Sequence, residues 1–313
     1  MKVARSLKEM SREQNSAVTV GTFDGVHLAH REIIRETVSR ARIKGGRSVV
    51  VTLDPHPKEV VASAEGSVRL LSTVDERIDL IGEQNVDVLL VLEFTFVFSR
   101  IGSREFYRDY VVRGTGVQEV VVGYDHMFGR DREAGIDDLM RLGREFGFSV
   151  FTVQPFCVDG ETVSSTKIRD ALAAGDVGRA ARYLGRPYSF SGRVVRGDGR
   201  GKSIGFPTAN IEPPGKAKTM PARGVYAVAV RIGGEQYQGM MNIGVRPTVS
   251  DGLTETTEVH LFDFNRELYD ETMTVSFIRR LREERMFGSL GALVTQLKKD
   301  RDEARRIIAG QGE

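Results

Sequence analysis

Apolar residues in the first half of the chain fall into short blocks separated by amphipathic stretches of helical length. Residues 18–22, 48–53, 87–92, 119–123 and 149–153 read as strands, each a near-continuous apolar run. Between them, 28–43, 74–82, 103–112 and 136–146 carry helical spacing, with Ile33, Ile34, Val38 and Ala41 on one face of the first. Gly45 and Gly46 stop that helix. Apolar strands alternating with helices predict parallel strands covered on both faces. The expectation is a doubly wound α/β domain that binds its ligand at the C-terminal strand edge.

The pattern changes near Gly185-Arg186-Pro187. Short strand-like segments follow at 188–195, 224–232, 236–242, 258–262 and 273–278, with Gly-, Pro- and Asp-rich turns between them. Such spacing predicts a small antiparallel β-barrel. The chain closes with an amphipathic helix bearing Leu290, Leu293, Val294 and Leu297, with Lys298, Lys299, Arg301 and Arg305 nearby. That basic face reads as solvated rather than as a binding surface. Two domains are expected, 1–184 and 185–313.

Composition narrows the class. The 313 residues are 40% hydrophobic and 28% charged, which is globular, and a net charge of +2 gives no argument for nucleic acid. Cys157 is the single cysteine. No disulfide can form within the chain, so a reducing cytoplasm is expected, and the thiol is expected to be packed. No apolar stretch approaches the length of a membrane span, and the basic N-terminus lacks the apolar core of a signal peptide.

Chemistry enters where the first long strand ends, at Gly21-Thr22-Phe23-Asp24-Gly25-Val26-His27-Leu28-Ala29-His30. Two histidines one turn apart stand where a helix begins, and its unpaired N–H groups attract anions. Imidazoles there can donate to phosphate oxygens as charge builds in nucleotidyl transfer. The pair also suits a metal, but the run holds no third ligand. The segment resembles the Gly-x-Phe-Asp-Gly-x-His-x-Gly-His signature of adenylyltransferases, in the form used by bacterial bifunctional riboflavin kinase/FAD synthetases. Ala29 departs from the family's glycine.

Three more segments carry that resemblance. Thr52-Leu53-Asp54-Pro55-His56-Pro57 resembles the Phe-Asp-Pro-His-Pro loop, with Leu53 in place of Phe. Pro55, His56 and Pro57 would wall a flavin pocket, or His56 is an ordinary turn residue. Val121-Val122-Gly123-Tyr124-Asp125-His126-Met127-Phe128-Gly129 resembles another family segment, with His126 in place of Phe. Asp125 there would bind a polar group of the flavin or ribose, or cap its loop. Ser164-Ser165-Thr166-Lys167-Ile168-Arg169 resembles the Ser-Ser-Thr-x-Ile-Arg motif. Ser165 and Thr166 would cap a helix start at the phosphates, and Lys167 and Arg169 would neutralise the triphosphate. Thr22, Phe23 and Asp24 are expected on the ATP side, and His27, His30 and Arg169 in the catalytic group.

A second motif lies beyond the break, from Gly192 through Gly197-Asp198-Gly199-Arg200-Gly201-Lys202 to Gly205-Phe206-Pro207-Thr208-Ala209-Asn210. Its glycines free backbone N–H groups to curl around phosphate, and the hydroxyl of Thr208 and amide oxygen of Asn210 suit Mg²⁺. It is not a Walker A loop, because the upstream glycine is missing. The run matches the riboflavin kinase signature. That resemblance makes Gly197, Gly199, Arg200, Gly201 and Lys202 phosphate-binding residues. It also makes Glu258, in Glu258-Val259-His260, the general base toward the ribityl hydroxyl. His260 faces the same side as Glu258 and either orients the site or packs. Arg282 and Phe287 match a flavin-side flap.

The resemblance spans about residues 17–309. It implies a nucleotidyltransferase domain followed by a kinase barrel, acting on riboflavin, FMN, FAD and ATP, with Mg²⁺ brought as MgATP. No nucleic-acid or membrane partner is expected. Two rivals stand beside it. One is an adenylyltransferase for another substrate fused to an unrelated barrel, against which the kinase signature argues. The other is a non-catalytic flavin-binding protein, for which Ala29, Leu53 and His126 are the only support.

Overall fold

The structure, a computed structural model, describes residues 1–61, 69–130, 133–197, 200–215, 217–247 and 253–310. The chain divides into two compact units, Met1–Ser165 and Thr166–Glu313.

The first unit is built on six strands: β1 (Lys2–Ala4), β2 (Ser16–Val20), β3 (Ser48–Asp54), β4 (Val88–Glu93), β5 (Val117–Gly123) and β6 (Ser149–Val153). They lie in the order β1-β4-β3-β2-β5-β6, and every pairing is parallel. Five of the six match the apolar runs. β1 is additional: Lys2, Val3 and Ala4 pair with Val88, Leu89 and Leu90 of β4. Only Ala4 of the three is buried, so the strand has no apolar run to announce it.

Helices cover both faces, as the run pattern requires. The first group is α1 (Leu28–Ile43), α2 (Pro57–Val61) and α3 (Val74–Gly82). Ile34 and Val38 of α1 and Ile81 of α3 pack on Val50, Leu89 and Val91. The other group is α4 (Ser103–Phe106), α5 (Arg113–Thr115) and α6 (Ile136–Phe146). Its Phe106, Leu139 and Leu142 pack with Val49, Val51, Leu90, Val120 and Val122. The helix expected at 103–112 is α-helical only to Phe106, and Tyr107–Val112 winds as a wider π turn. The wider turn stacks Tyr107 above Val111, and both are fully buried. Strand order reverses at β2, which has β3 on one side and β5 on the other. Ligands of open parallel sheets bind at such a switch point.

Cys157 corrects an expectation. It sits in a two-stranded hairpin, β7 (Cys157–Val158) with β8 (Glu161–Thr162), and is exposed. The hairpin adds no strand to the large sheet, so the thiol reaches no core and approaches Thr162 Oγ1 at 3.8 Å.

The second unit is a closed antiparallel barrel with helices packed on it. Its strands are β9 (Tyr188–Val195), β10 (Ala209–Glu212), β11 (Gly224–Ile232), β12 (Glu235–Pro247), β13 (Leu253–Leu261) and β14 (Thr272–Arg282). They close in the order β10-β13-β12-β11-β14-β9. β10 is the closing strand, pairing with both β9 and β13, and its residues lie inside the glycine-rich motif. Phe190, Tyr226, Val228, Val275 and Phe277 are fully buried. Helices α7 (Ser165–Ala173) and α8 (Val177–Leu184) precede the barrel. α8 packs on β9 and β14, and the Leu172 carbonyl accepts the Ala222 N–H at 2.9 Å. A single turn, α9 (Arg200–Ser203), precedes β10.

The last helix, α10 (Leu290–Ala309), meets the barrel later along its length than its sequence implies. Leu290 is 62% exposed, whereas Val294, Leu297, Ile307 and Ile308 pack around Ala304 and Phe262. Asp300 and Ala304 are its buried residues. Of its basic residues, Arg305 pairs with Asp263 at 2.8 Å and lies over the Phe262 ring.

A fragment spanning 166–313 should be more stable than one spanning 184–313. The shorter one loses Leu172, Val177, Ala180 and Tyr183, which α7 and α8 bury. Stripping a large side chain costs about 1.5–3 kcal/mol, so urea unfolding of the two should differ by at least that much.

Candidate functional site

The histidine segment lies at the switch point of the first unit. β2 ends at Val20, and α1 starts at Leu28 with His27 as its N-cap residue. The connection is forced into unusual backbone: φ is +48° at Phe23, +82° at Gly25 and +39° at Val26. Positive φ at non-glycine residues costs on the order of 1–3 kcal/mol each and persists only where the surroundings impose it. Two sets of hydrogen bonds do so. The Asp24 carboxylate, 2% exposed, accepts the N–H groups of Leu71 (2.9 Å) and Ser72 (3.0 Å). Ser72 Oγ accepts the Gly25 N–H at 2.8 Å. The Thr22 carbonyl accepts Arg77 Nη1 at 2.8 Å and Thr52 Oγ1 at 3.2 Å. Hydrogen bonds to charged groups contribute about 1.5–3 kcal/mol each, enough to offset the strain.

This geometry changes what Phe23 and Asp24 do. Both side chains are buried, and the Phe23 ring packs edge-on against His30 at 5.3 Å. Any phosphate contact at these positions runs through backbone N–H groups. His27 and His30 are brought together: their rings stack at 3.6 Å between centroids. The His30 N–H donates to His27 Nδ1 at 3.3 Å. A neutral His27 ring therefore carries its proton on Nε2. Burial and the neighbouring His27 push the His30 pKa well below 6.5, which keeps it neutral, and its Nδ1 has no partner. Among the described residues no group of three or more His, Cys, Asp or Glu could hold a metal.

The neighbouring loops also resolve. His56 Nδ1 accepts the Lys58 N–H at 3.1 Å, and the Glu59 carboxylate accepts the His56 N–H at 2.9 Å. That places His56 in the cap of α2, whose first residue is Pro57, and the Asp54–Pro55 bond is cis. Pro55 and Asp125 are exposed. Leu53 packs against the main core, and Arg77 Nη1 donates to its carbonyl at 3.1 Å. His126 keeps an aromatic role, stacking on Phe128 at 5.4 Å with Nε2 3.4 Å from Tyr107 Oη. Ser165, the last residue of the first unit, donates its Oγ hydrogen to the Asp24 carbonyl at 3.1 Å. Thr166, Lys167 and Arg169 follow on α7, in the second unit.

On the barrel, Asn210 of β10 stands opposite Glu258 of β13, which in turn faces Asn242 of β12. Thr208 Oγ1 donates to Glu258 Oε2 at 3.3 Å. His260 Nδ1 lies 2.8 Å from the Pro207 carbonyl, to which it donates, so the imidazole holds the turn that presents Thr208. Burial lowers its pKa, keeping it neutral. Gly197 is required by close approach: a Cβ there would lie 1.9 Å from Asn210 Nδ2. At Gly201 a Cβ would lie 2.2 Å from the Phe206 carbonyl, which explains the glycine before Lys202. Gly199 and the Arg200 side chain lie outside the described residues. Arg282 is held by the buried Asp300, Nη2 to Oδ2 at 2.8 Å, and sits 5.5 Å over the Phe287 ring.

A family model described as FAD synthetase matches residues 9–167, and one described as riboflavin kinase matches residues 184–308. A relative in Pseudomonas fluorescens, named bifunctional riboflavin kinase/FMN adenylyltransferase, is 40% identical over 310 residues, covering 99% of this chain and 98% of its own. The chain belongs to the bifunctional riboflavin kinase/FMN adenylyltransferase family. A relative of the same name in Listeria monocytogenes is 35% identical, covering 94% of this chain and 93% of its own. A solved structure titled "Macrolide-efflux Protein from Streptococcus pneumoniae" superposes with a TM-score of 0.88 at 33% identity, covering 97% of this chain and 98% of that one. In this chain no helix among the described residues is long and apolar enough to cross a membrane.

Arg77, Asp300, Leu71 and Ser72 bond to the motif segments and are missed by motif reading. Arg77 falls on the apolar stripe of α3 with Val74, Ile78 and Ile81, and Asp300 on that of α10 with Leu297 and Ala304. A charged residue on a buried stripe is the available signal.

Two outcomes follow from this family site. His30 is neutral in the folded state, so its contribution is complete above pH 6.5 and is lost as pH falls toward the lowered folded value. Urea unfolding across acidic pH should show His30→Gln losing less stability, by up to about 1.4 kcal/mol per pH unit. Gly197→Ala should fold but displace the Asn210 amide. Riboflavin phosphorylation titrated with Mg²⁺ should then weaken ~10–100-fold, with FAD formation from supplied FMN retained.

Proposed function

We propose how the two assembled sites divide the family's chemistry. The chain is a riboflavin kinase and an FMN adenylyltransferase. The observation that carries the division is that Glu258 and Asn210 face each other on barrel strands with Thr208 bonded to Glu258 from the turn before β10, while His27 and His30 stack at a helix start in the other unit.

In the barrel, Glu258 takes the proton of the terminal ribityl hydroxyl, and that oxygen attacks the γ-phosphorus of ATP. ADP leaves and FMN forms. Mg²⁺ arrives as part of MgATP. The hydroxyl of Thr208 and the amide oxygen of Asn210 are hard oxygen donors that would hold it. Gly197, Gly201 and Lys202 line the phosphates, and Arg282 and Phe287 border the flavin.

In the first unit, a phosphate oxygen of FMN attacks the α-phosphorus of a second ATP. Pyrophosphate leaves and FAD forms. His27 and His30 donate to the phosphate oxygens, aided by N–H groups at the start of α1. Ser165 caps a helix start at the phosphates, and Thr22 contributes backbone contacts. Pro55, Pro57 and Asp125 border the flavin, with His56 setting the turn between the prolines. The substrates are riboflavin, FMN and ATP, and the setting is cytoplasmic.

Incubating the protein with riboflavin and MgATP and separating the flavins should yield FMN and then FAD. Replacing His27 and His30 together by Ala should cut FAD formation at least ~10²–10³-fold while FMN accumulates. Glu258→Gln should cut riboflavin phosphorylation ~10²–10⁴-fold and spare FAD formation from FMN. Equal loss of both activities in either variant would refute the division.

A further inference from the structure

Arg77 belongs to none of the motifs, yet it is among the largest fully buried side chains of the protein. It lies one turn into α3, and its guanidinium reaches the ends of two strands at once. Nη1 donates to the carbonyls of Thr22 (2.8 Å) and Leu53 (3.1 Å) and to Thr52 Oγ1 (3.2 Å). Nη2 donates to the Asp54 carboxylate at 3.1 Å. Thr22 opens the strained segment that carries His27 and His30, and Asp54 opens the loop that carries Pro55, His56 and Pro57. One planar cation thus fixes four acceptors, one on the histidine loop and three at the end of β3, where the 55–57 loop begins.

We propose that Arg77 is a positioning residue for adenylyl transfer, holding the histidine loop and the 54–57 loop at one spacing so that the FMN phosphate and the ATP α-phosphorus meet in line. The assignment rests on the adenylyl-transfer reading of the first unit. The acceptors are divided between Nη1 and Nη2 of one planar group, whereas a lysine ammonium keeps the charge but must satisfy them from a point. Neutral core packing at this position would leave the Thr22 carbonyl to Thr52 alone and the Asp54 carboxylate without its cation.

The test compares the full-length parent protein with Arg77→Lys and Asp54→Asn, measuring FAD formation from FMN and MgATP and riboflavin phosphorylation on the same preparations. For Arg77→Lys we expect kcat for FAD formation to fall ~10–10²-fold with KM for FMN and MgATP within about threefold of the parent. Riboflavin phosphorylation should be unchanged. Asp54→Asn should lower the same kcat by a smaller factor. A folded Arg77→Lys with parental kcat overturns the proposal, as does a rise in KM at constant kcat, which marks direct substrate contact. If Arg77→Lys fails to fold, Asp54→Asn decides: parental kcat there overturns the proposal. A parent protein that makes FMN but no FAD overturns the adenylyl-transfer reading instead.

Discussion

A carboxylate with almost no exposure to water governs the first site. Asp24 accepts backbone N–H groups from Leu71 and Ser72, and Ser72 returns a hydroxyl oxygen to the Gly25 N–H. These bonds join the turn after β2 to the chain entering α3, more than 40 residues later. They help to impose the positive φ values at Phe23 and Val26. The stacked histidines inherit their placement from that turn, since His27 is both its last residue and the N-cap of α1.

The barrel reaches the same end by register. Antiparallel pairing puts Asn210 opposite Glu258 and Glu258 opposite Asn242, so register alone brings three polar residues side by side. What remains adjustable is the turn before β10, and His260 fixes that through the Pro207 carbonyl. The glycines at 197 and 201 allow the chain to pass within contact distance of Asn210 and of the Phe206 carbonyl. At the opposite flank, Asp300 does for Arg282 what Asp24 does for the histidine turn. A buried acid on α10 holds a cation whose face covers Phe287.

Much of this was readable in advance because the relevant forces are local. Strands β2 to β6 are apolar runs, α1, α3 and α6 show helical periodicity, and the barrel strands are cut out by turn residues. β1 was silent, since three residues with one buried side chain carry no period. β10 was hidden within a segment read for its glycines, although it closes the barrel. Cys157 and Leu290 misled for one reason: residue type predicts burial only where an element faces a core, and β7 and the first turn of α10 do not. The motifs mark the loops but do not say which of their side chains turn inward. Asp24, Phe23 and His56 are consumed by the scaffold, a distinction that depends on tertiary partners at Leu71, Ser72, His30 and Lys58.

The short strand β1 has a bearing on how the protein behaves in a crowded solution. It lies along β4, whose Val88, Leu89, Leu90, Val91 and Leu92 are all buried. Left uncovered, that row of backbone donors and acceptors beside five apolar side chains would be a template for strand addition by another chain. β1 replaces it with a three-residue edge bearing a lysine, and Lys2 is further pinned by its Nζ bond to the Glu9 carbonyl at 2.6 Å. Three residues that contribute little to the core thus close off an edge that favours strand addition.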